Sequence, residues 1–369
     1  MRWLGFTLLA AGCVAAACWG PAQLWPTTAA PDGVYGRAGD GPSGLALLSA
    51  QAEKGALQAD VPRPASAANP PSPASPPVTA VAEPFLPEVA EAACTTLLPR
   101  LPGLSRAQCV ATRLQASGAL SRQGAPLYWR DVPSHAGAAA KGQPAAEPLR
   151  VLVVGAMHGD ELTAASLALR WIGMAAAEGA ADAGEPAPVH WRFIPVLNPD
   201  GLLAPKPTRV NAGGVDLNRN FPTPGWAEEA PVYWEKRTRK DPRRWPGHTP
   251  LSEPESRFLH QQMDQFQPQL VVSIHAPYGV LDFDGPHDPP LRLGRLRMDK
   301  LGVFPGSLGH YGGLHRGVPV VTIELEHALR MPPDAEVRAM WRDLRHWMNT
   351  RLLDGADAVA GVKPPGLQR

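Results

Sequence analysis

Val151-Leu152-Val153-Val154-Gly155-Ala156-Met157-His158-Gly159-Asp160-Glu161 is an apolar run that stops on a knot of polar chemistry. The run is short, rich in Val and without polar alternation, which suits a strand buried on both faces. Three more runs have the same character: His190 to Leu197, Leu270 to Ile274, and Val318 to Ile323. Helical patterns separate them. Apolar runs alternating with helices predict an α/β architecture, with a largely parallel or mixed central β-sheet flanked by helices.

Each run ends in polar residues. His158 and Glu161 follow the first, Asn198-Pro199-Asp200-Gly201 the second, and His275 the third, while Glu324 closes the fourth. Ligands in open α/β sheets bind beyond the carboxyl ends of strands, so residues far apart in sequence can meet there. Turn chemistry alone accounts for the Asn-Pro-Asp-Gly stretch. It accounts less well for two His and two Glu. His158 and Glu161 stand three positions apart, a spacing at which one turn of chain can aim both at one point. A catalytic zinc needs three N or O ligands and an open position for water, and His158, Glu161 and His275 supply that count. On its own, a single His at a strand end reads as a core histidine bonded to backbone.

The stretch Arg209-Val210-Asn211-Ala212-Gly213-Gly214-Val215-Asp216-Leu217-Asn218-Arg219-Asn220-Phe221-Pro222 extends the pattern. With His158-x-x-Glu161 before it, and His275 and Thr322-Ile323-Glu324-Leu325 after it, the chain closely resembles the zinc carboxypeptidases related to carboxypeptidase A. The likeness covers about Pro126 to Leu329. Within that family, Ser273-Ile274-His275-Ala276-Pro277 and Ser252-Glu253-Pro254-Glu255 look most like the bacterial murein peptide amidases, which cut between γ-D-glutamate and meso-diaminopimelate. The resemblance implies a zinc carboxypeptidase-like fold and one zinc ion per chain on His158, Glu161 and His275. It implies Glu324 as general base and acid, Asn218 and Arg219 as the grip on a substrate carboxylate, and Arg209 as the group that polarises the scissile carbonyl. Lys206 stands close enough to compete with Arg209. The family's mobile Tyr has no counterpart at the usual distance; Tyr311 is the substrate-binding candidate, and Tyr278 the other. Glu326 would share a face with Glu324 if the strand continued.

Outward from this centre, the chain of 369 residues carries 43 Pro, many in an Ala/Ser/Pro stretch from about Pro62 to Pro87 that should not pack. Residues 1–20 read as a targeting segment, 21–90 as a linker, 91–360 as one catalytic domain and 361–369 as a tail. Ala10-Ala11-Gly12-Cys13 resembles a lipobox with Ala where Leu is usual, which leaves lipidation at Cys13, a cleaved signal and an uncleaved membrane anchor all open. The location expected is outside the cytoplasmic membrane, in the periplasm or anchored facing it. Cys94 and Cys109 are an even pair, which in an oxidising compartment suggests a disulfide; two buried thiols is the alternative. A formal net charge of +1 gives no footprint for nucleic acid.

Three structural expectations complete the reading. Ala92 to Leu114 carries a helical pattern. Ser252 to Glu255 matches a capping box, with Ser252 as N-cap, before a helix presenting Phe258, Leu259, Met263 and Phe266. Asp334 to Leu353 places Val337, Met340, Trp341, Leu344, Trp347, Met348 and Leu352 on one packing stripe. Asp282 and Asp284 are candidates to meet a substrate amino group, and Trp226 to Trp245 is either a wall of the cleft or a solvated loop. The function expected is zinc-dependent hydrolysis of murein peptides. The rivals are a carboxypeptidase or N-acyl amino acid deacylase with other substrates, an inactive peptidoglycan-binding protein, and a tethered envelope protein. The oligomeric state is left open.

Overall fold

The computed structural model describes residues 86–133, 147–180 and 188–353. The targeting segment, nearly all the linker, Cys13 and the tail lie outside the described residues. All described residues fall in one unit, Thr79–Arg369.

The strands are β1 (Gln115–Leu120), β2 (Pro126–Val132), β3 (Leu149–Val154), β4 (Val189–Ile194), β5 (Leu270–His275), β6 (Val280–Asp284), β7 (Arg292–Leu293), β8 (Leu296–Arg297) and β9 (Val320–Glu324). The helices are α1 (Pro87–Leu97), α2 (Arg106–Ala111), α3 (Leu162–Ala180), α4 (Pro199–Leu203), α5 (Trp226–Val232), α6 (Pro254–Phe266) and α7 (Asp334–Trp347). Seven strands form one mixed sheet in the order β1-β2-β4-β3-β5-β9-β6, and β7 and β8 form a small separate ladder. The four inner strands β4, β3, β5 and β9 are parallel, while β2 and β6 close the parallel block on either side as antiparallel neighbours. These inner strands are the four apolar runs of the sequence.

Alternation along the strands divides the core into two. Val151 and Val153 join Leu270, Val272, Ile274, Val321 and Ile323 in a cluster with residues of α1, α3 and α7. Leu152, Val154, Val271 and Val320 face the other way, against Phe258, Leu259, Met263 and Phe266 of α6. By the same period of two, Ser273, His275, Thr322 and Glu324 belong to the α6 side. His275 and Glu324 are register partners across β5 and β9, so a ligand candidate and a base candidate stand side by side at the carboxyl edge.

Two expectations about helices require correction. The pattern from Ala92 to Leu114 is broken into α1 and α2, because Pro99 and Pro102 cannot continue a helix and Gly103 takes a left-handed φ of 69°. Cys94 and Cys109, fully buried, are joined across the break by a disulfide. The second correction concerns α6, whose N-cap is Glu253, with Pro254 opening the helix, and which has no side-chain cap. Ser252 instead donates to Glu253 Oε1, and Glu255 turns inward to accept from Asn211 Nδ2 and Arg122 N. A capping box does exist elsewhere, at Ser105 and Gln108 of α2. The stripe read on the last helix is buried as expected.

Candidate metal centre

His158 sits four residues past β3, and Glu161 immediately before α3. The turn between them needs glycine at 159, since a Cβ there would lie 2.3 Å from the carbonyl carbon of Gly201. Gly201 belongs to the Asn198-Pro199-Asp200-Gly201 turn, where Asn198 Oδ1 accepts from Gly201 N at 2.9 Å and so caps α4. Asn198 Nδ2 donates to Arg209 O, and Gly159 N donates to the same carbonyl. The turn that sequence reasoning could assign only to turn chemistry therefore locks the loop bearing His158 to the loop bearing Arg209.

The structure brings His158, Glu161 and His275 together. One ligand atom from each lies within 4.8 Å of the others, the three side chains are buried, and the donors are two imidazoles and a carboxylate. His158 Nδ1 is 2.8 Å from Glu161 Oε1, His275 Nδ1 is 3.0 Å from Glu161 Oε2, and the two Nδ1 atoms are 3.1 Å apart. On the far side of the ring, His158 Nε2 bonds Asp216 Oδ1 at 3.1 Å. An ionised carboxylate can only accept, so Asp216 keeps a proton of His158 on Nε2 and turns Nδ1 toward Glu161. Ser273 Oγ bonds His275 Nε2 at 2.9 Å. Two imidazole nitrogens and a carboxylate crowded in a buried space need a cation among them, a proton or a metal ion, and an N, N, O donor set suits zinc. The residues present thus fit the metal.

Electrostatics around this centre are uneven. Burial by itself would raise Glu161, but His158 and His275 overcome it and hold the carboxyl below the ordinary range. Asp216 behaves likewise: Arg209 and His158 outweigh burial and keep it well below its usual value. Glu324 is the opposite case, pushed up to about 8 by burial first and by the neighbouring Glu161 charge second. Its Oε2 is buried with no hydrogen-bond partner, while the Tyr278 backbone N–H bonds the carboxylate. Glu326 does not share this environment. The strand ends at Glu324, and the Glu326 side chain is exposed, 4.0 Å from Arg295.

A cavity of about 250 Å³ opens onto these residues, lined by His158, His275 and Glu324, by Arg209, Asn218, Arg219 and Arg244, and by Tyr278, Asp282 and Asp284. Arg209 donates through Nε to Asp216 Oδ2 at 3.0 Å and stands 3.6 Å from Glu161. Arg219 is 5% exposed and, among the described residues, has no carboxylate within ion-pairing distance; its Nη1 donates to Asn218 O and its Nε has no partner. Burial lowers it to about 10, and nearby Asp216 offsets only part of that. Its guanidinium lies 4.5 Å above the Phe304 ring. Asn218 Oδ1 accepts from Leu308 N, which leaves its NH2 as the group it can offer. Lys206 is not among the lining residues, Arg209 is.

Tyr311 does not join the site and is corrected. Its ring is 2% exposed and stacks on Phe221, and its hydroxyl bonds His260 Nδ1 at 2.5 Å, within the core on the α6 side. Tyr278, the other candidate, is exposed and lines the cavity. Asp216 is the functional residue that sequence reasoning passed over: one carboxylate joins His158, Arg209 and the backbone of Asn218.

Comparison with known proteins agrees with this picture. Residues 111–284 match the family described as zinc carboxypeptidase, a span that holds His158, Glu161, Arg209, Asn218, Arg219 and His275 and ends before Glu324. The chain is similar to murein peptide amidase A of Escherichia coli K12, 34% identical over 164 residues, 43% of this chain and 57% of the relative. Similarity to murein peptide amidase A of Vibrio campbellii is 33% over 146 residues, 35% of this chain and 54% of the relative. The chain thus spans little more than half the length of the curated relatives it matches. Among solved structures, thrombin-activatable fibrinolysis inhibitor is 15% identical with a TM-score of 0.50, covering 75% of this chain and 73% of that one, a likeness of fold. A murein-tripeptide amidase from Escherichia coli O157 is 24% identical with a TM-score of 0.42, covering 68% and 93%.

Proposed function

We propose, on the premise that residues 111–284 carry a zinc carboxypeptidase domain, that this chain hydrolyses an amide bond in murein peptides, between γ-D-glutamate and meso-diaminopimelate. The observation that carries the reading is the convergence of His158, Glu161 and His275 beside a buried, unpartnered oxygen of Glu324. Zinc held by the three donors would supply a water whose pKa is lowered to about 7.

Every other part is supplied by the chain. Glu324, whose burial and neighbouring Glu161 strengthen its hold on a proton, takes one from the attacking water and delivers it to the leaving nitrogen. Arg219, buried and without a carboxylate of its own, pairs with the free carboxylate of the leaving residue, and the Asn218 amide adds a donor. Arg209 faces the scissile carbonyl oxygen, held there by Asp216 and Glu161. Asp282 and Asp284 sit in the same cavity, where a leaving residue with a side-chain ammonium finds a counter-charge. The names of the curated relatives support the cell-wall substrate. A substrate outside the inner membrane also agrees with the export read from residues 1–20.

The test pairs metal analysis with turnover. Purified full-length chain is expected to hold one zinc and to release diaminopimelate-containing products from defined muropeptides, and Glu324→Gln to keep the zinc and lose release by at least about 10³-fold. Turnover like that of the unaltered protein in Glu324→Gln defeats the mechanism. Release from ordinary peptides, with muropeptides untouched, replaces the substrate.

A further inference from the structure

Arg244 is a cation of the cavity that none of the metal, base or carboxylate-grip assignments uses. It lies on a 3-10 turn, Pro242–Arg244, and lines the cavity with Arg219 and Glu324. Both of its chain neighbours are fastened to the metal centre. Arg243 Nη2 donates to Asp160 Oδ2 at 2.8 Å, and Asp160 lies between His158 and Glu161. Trp245 O accepts from Asp216 N at 2.8 Å, and Asp216 holds His158. The backbone on either side of Arg244 is therefore referenced to the same two loops that carry the reacting groups.

Its guanidinium, by contrast, is held loosely. The nearest carboxylate is Asp241 Oδ2, 3.6 Å from Nε, too long for a hydrogen bond. No carboxylate of the cavity pairs with it: Asp282 and Asp284 lie in the same lining, yet neither comes within ion-pairing distance of Arg244 or Arg219. Besides Arg209, which Asp216 holds, and Glu324, the cavity thus has two guanidinium forks, Arg219 and Arg244, and two carboxylates, Asp282 and Asp284, that do not pair with one another. Such a separation costs folding free energy through self-repulsion and desolvation, and a ligand carrying both signs of charge relieves it.

We propose that Arg244 is a second carboxylate-binding residue, so that the leaving residue carries a second carboxylate at its side-chain end, next to an ammonium met by Asp282 and Asp284. This rests on the hydrolytic reading above and deepens it: Arg219 takes the main-chain carboxylate, and Arg244 takes the distal one. Guanidinium and carboxylate match as forks, whereas an ammonium in place of Arg244 keeps the charge and loses the fork. Discrimination between diaminopimelate and lysine as leaving residues then lies in Arg244, since lysine has the distal amine and lacks the distal carboxylate.

The experiment compares kcat/KM on γ-D-glutamyl-meso-diaminopimelate and γ-D-glutamyl-L-lysine for the zinc-loaded full chain, Arg244→Gln and Arg244→Lys. Loss of a charge-assisted fork predicts a drop of about 10- to 100-fold on the diaminopimelate substrate for Arg244→Gln, with the lysine substrate changed less than about twofold. Arg244→Lys is expected to fall between. Equal losses on both substrates, or none on either, overturn the assignment. If the unaltered protein cleaves neither, the hydrolytic reading fails on its own. The assignment is then decided by calorimetric binding of free meso-diaminopimelate against lysine: a preference that Arg244→Gln abolishes sustains it, and no preference in the unaltered chain ends it.

Discussion

Asp284 is a residue where the demands of the fold and of the site oppose each other. Burial, and then the charge of Asp282, push its carboxyl up to about 6, with only Lys300 pulling the other way. Two glycines make room for it: a Cβ at Gly309 would lie 2.0 Å from Asp284 Oδ2, and one at Gly313 would lie 2.5 Å from its Cβ. A carboxyl raised in the folded state binds its proton more tightly there than in the unfolded chain, whose value is about 3.9. Its contribution favours folding below about 4 and is lost as pH rises through about 6. Asp284→Asn is therefore expected to be more stable than the unaltered protein at pH 7 to 8, and the gap to close or reverse near pH 4, by urea unfolding at each pH. An unaltered gap across that range removes the claim. Residues at the ends of apolar runs, His158, Glu161, His275 and Glu324, were legible in the sequence because the sheet itself brings strand ends together. Asp216 was not, because its role comes from a loop folding back onto His158, which no periodicity encodes. Tyr311 was misread for a related reason. Distance along the chain to Glu324 says nothing about whether a ring lines the cavity or packs beneath it, and this ring, on the same side of the sheet as Glu324, is buried against Phe221 and α6.

At the scale of elements, the loop from Arg209 to Asn220 is the part of the site with least regular structure, and it is held by buried polar bonds to the start of α6. Asn211 Nδ2 donates to Glu253 Oε2 at 2.7 Å and Glu255 Oε2 at 3.0 Å, while its Oδ1 accepts from Gly213 N and Val215 N. Asn220, fully buried, donates to Pro246 O and Thr249 O and accepts from Ser256 Oγ. Removing the Asn211 amide strands Glu255 Oε2 and two backbone donors, while Glu253 Oε2 keeps Arg122 Nη1 at 2.9 Å. Asn211→Ala is therefore expected to cost about 2–3 kcal/mol in urea unfolding and to raise KM by misplacing Arg219. A change under about 0.5 kcal/mol would show the loop to be anchored elsewhere. The strands of the central sheet could be read from sequence because a strand covered on both faces needs an unbroken apolar run. Helix starts could not be read as securely. Ser252 and Glu255 have the right spacing for a cap, yet Pro254 favours the first helical position, and Asn211 and Arg122 draw Glu255 inward.

For the molecule as a whole, the feature that bears on the proposed export is the bond between Cys94 and Cys109. Its sequence separation of 15 closes a loop that confines the unfolded chain, a stabilisation of about 3 kcal/mol. That bond ties α1 to α2 across the break at Pro99, Pro102 and Gly103, beside the surface pairing of Arg106 with Glu91 and Thr95. Among the described residues no helix is long and apolar enough to cross a membrane. Disulfides persist where thiols are not kept reduced, and the proposed export supplies such a compartment. If residues 1–20 direct the chain outward, the disulfide should form only when they are present. Denaturing alkylation of the full chain from cells is expected to leave Cys94 and Cys109 unlabelled, and a variant lacking residues 1–20 to label at both and to unfold at lower urea. Labelling of both thiols in the full chain would place it among reducing surroundings, away from any murein substrate.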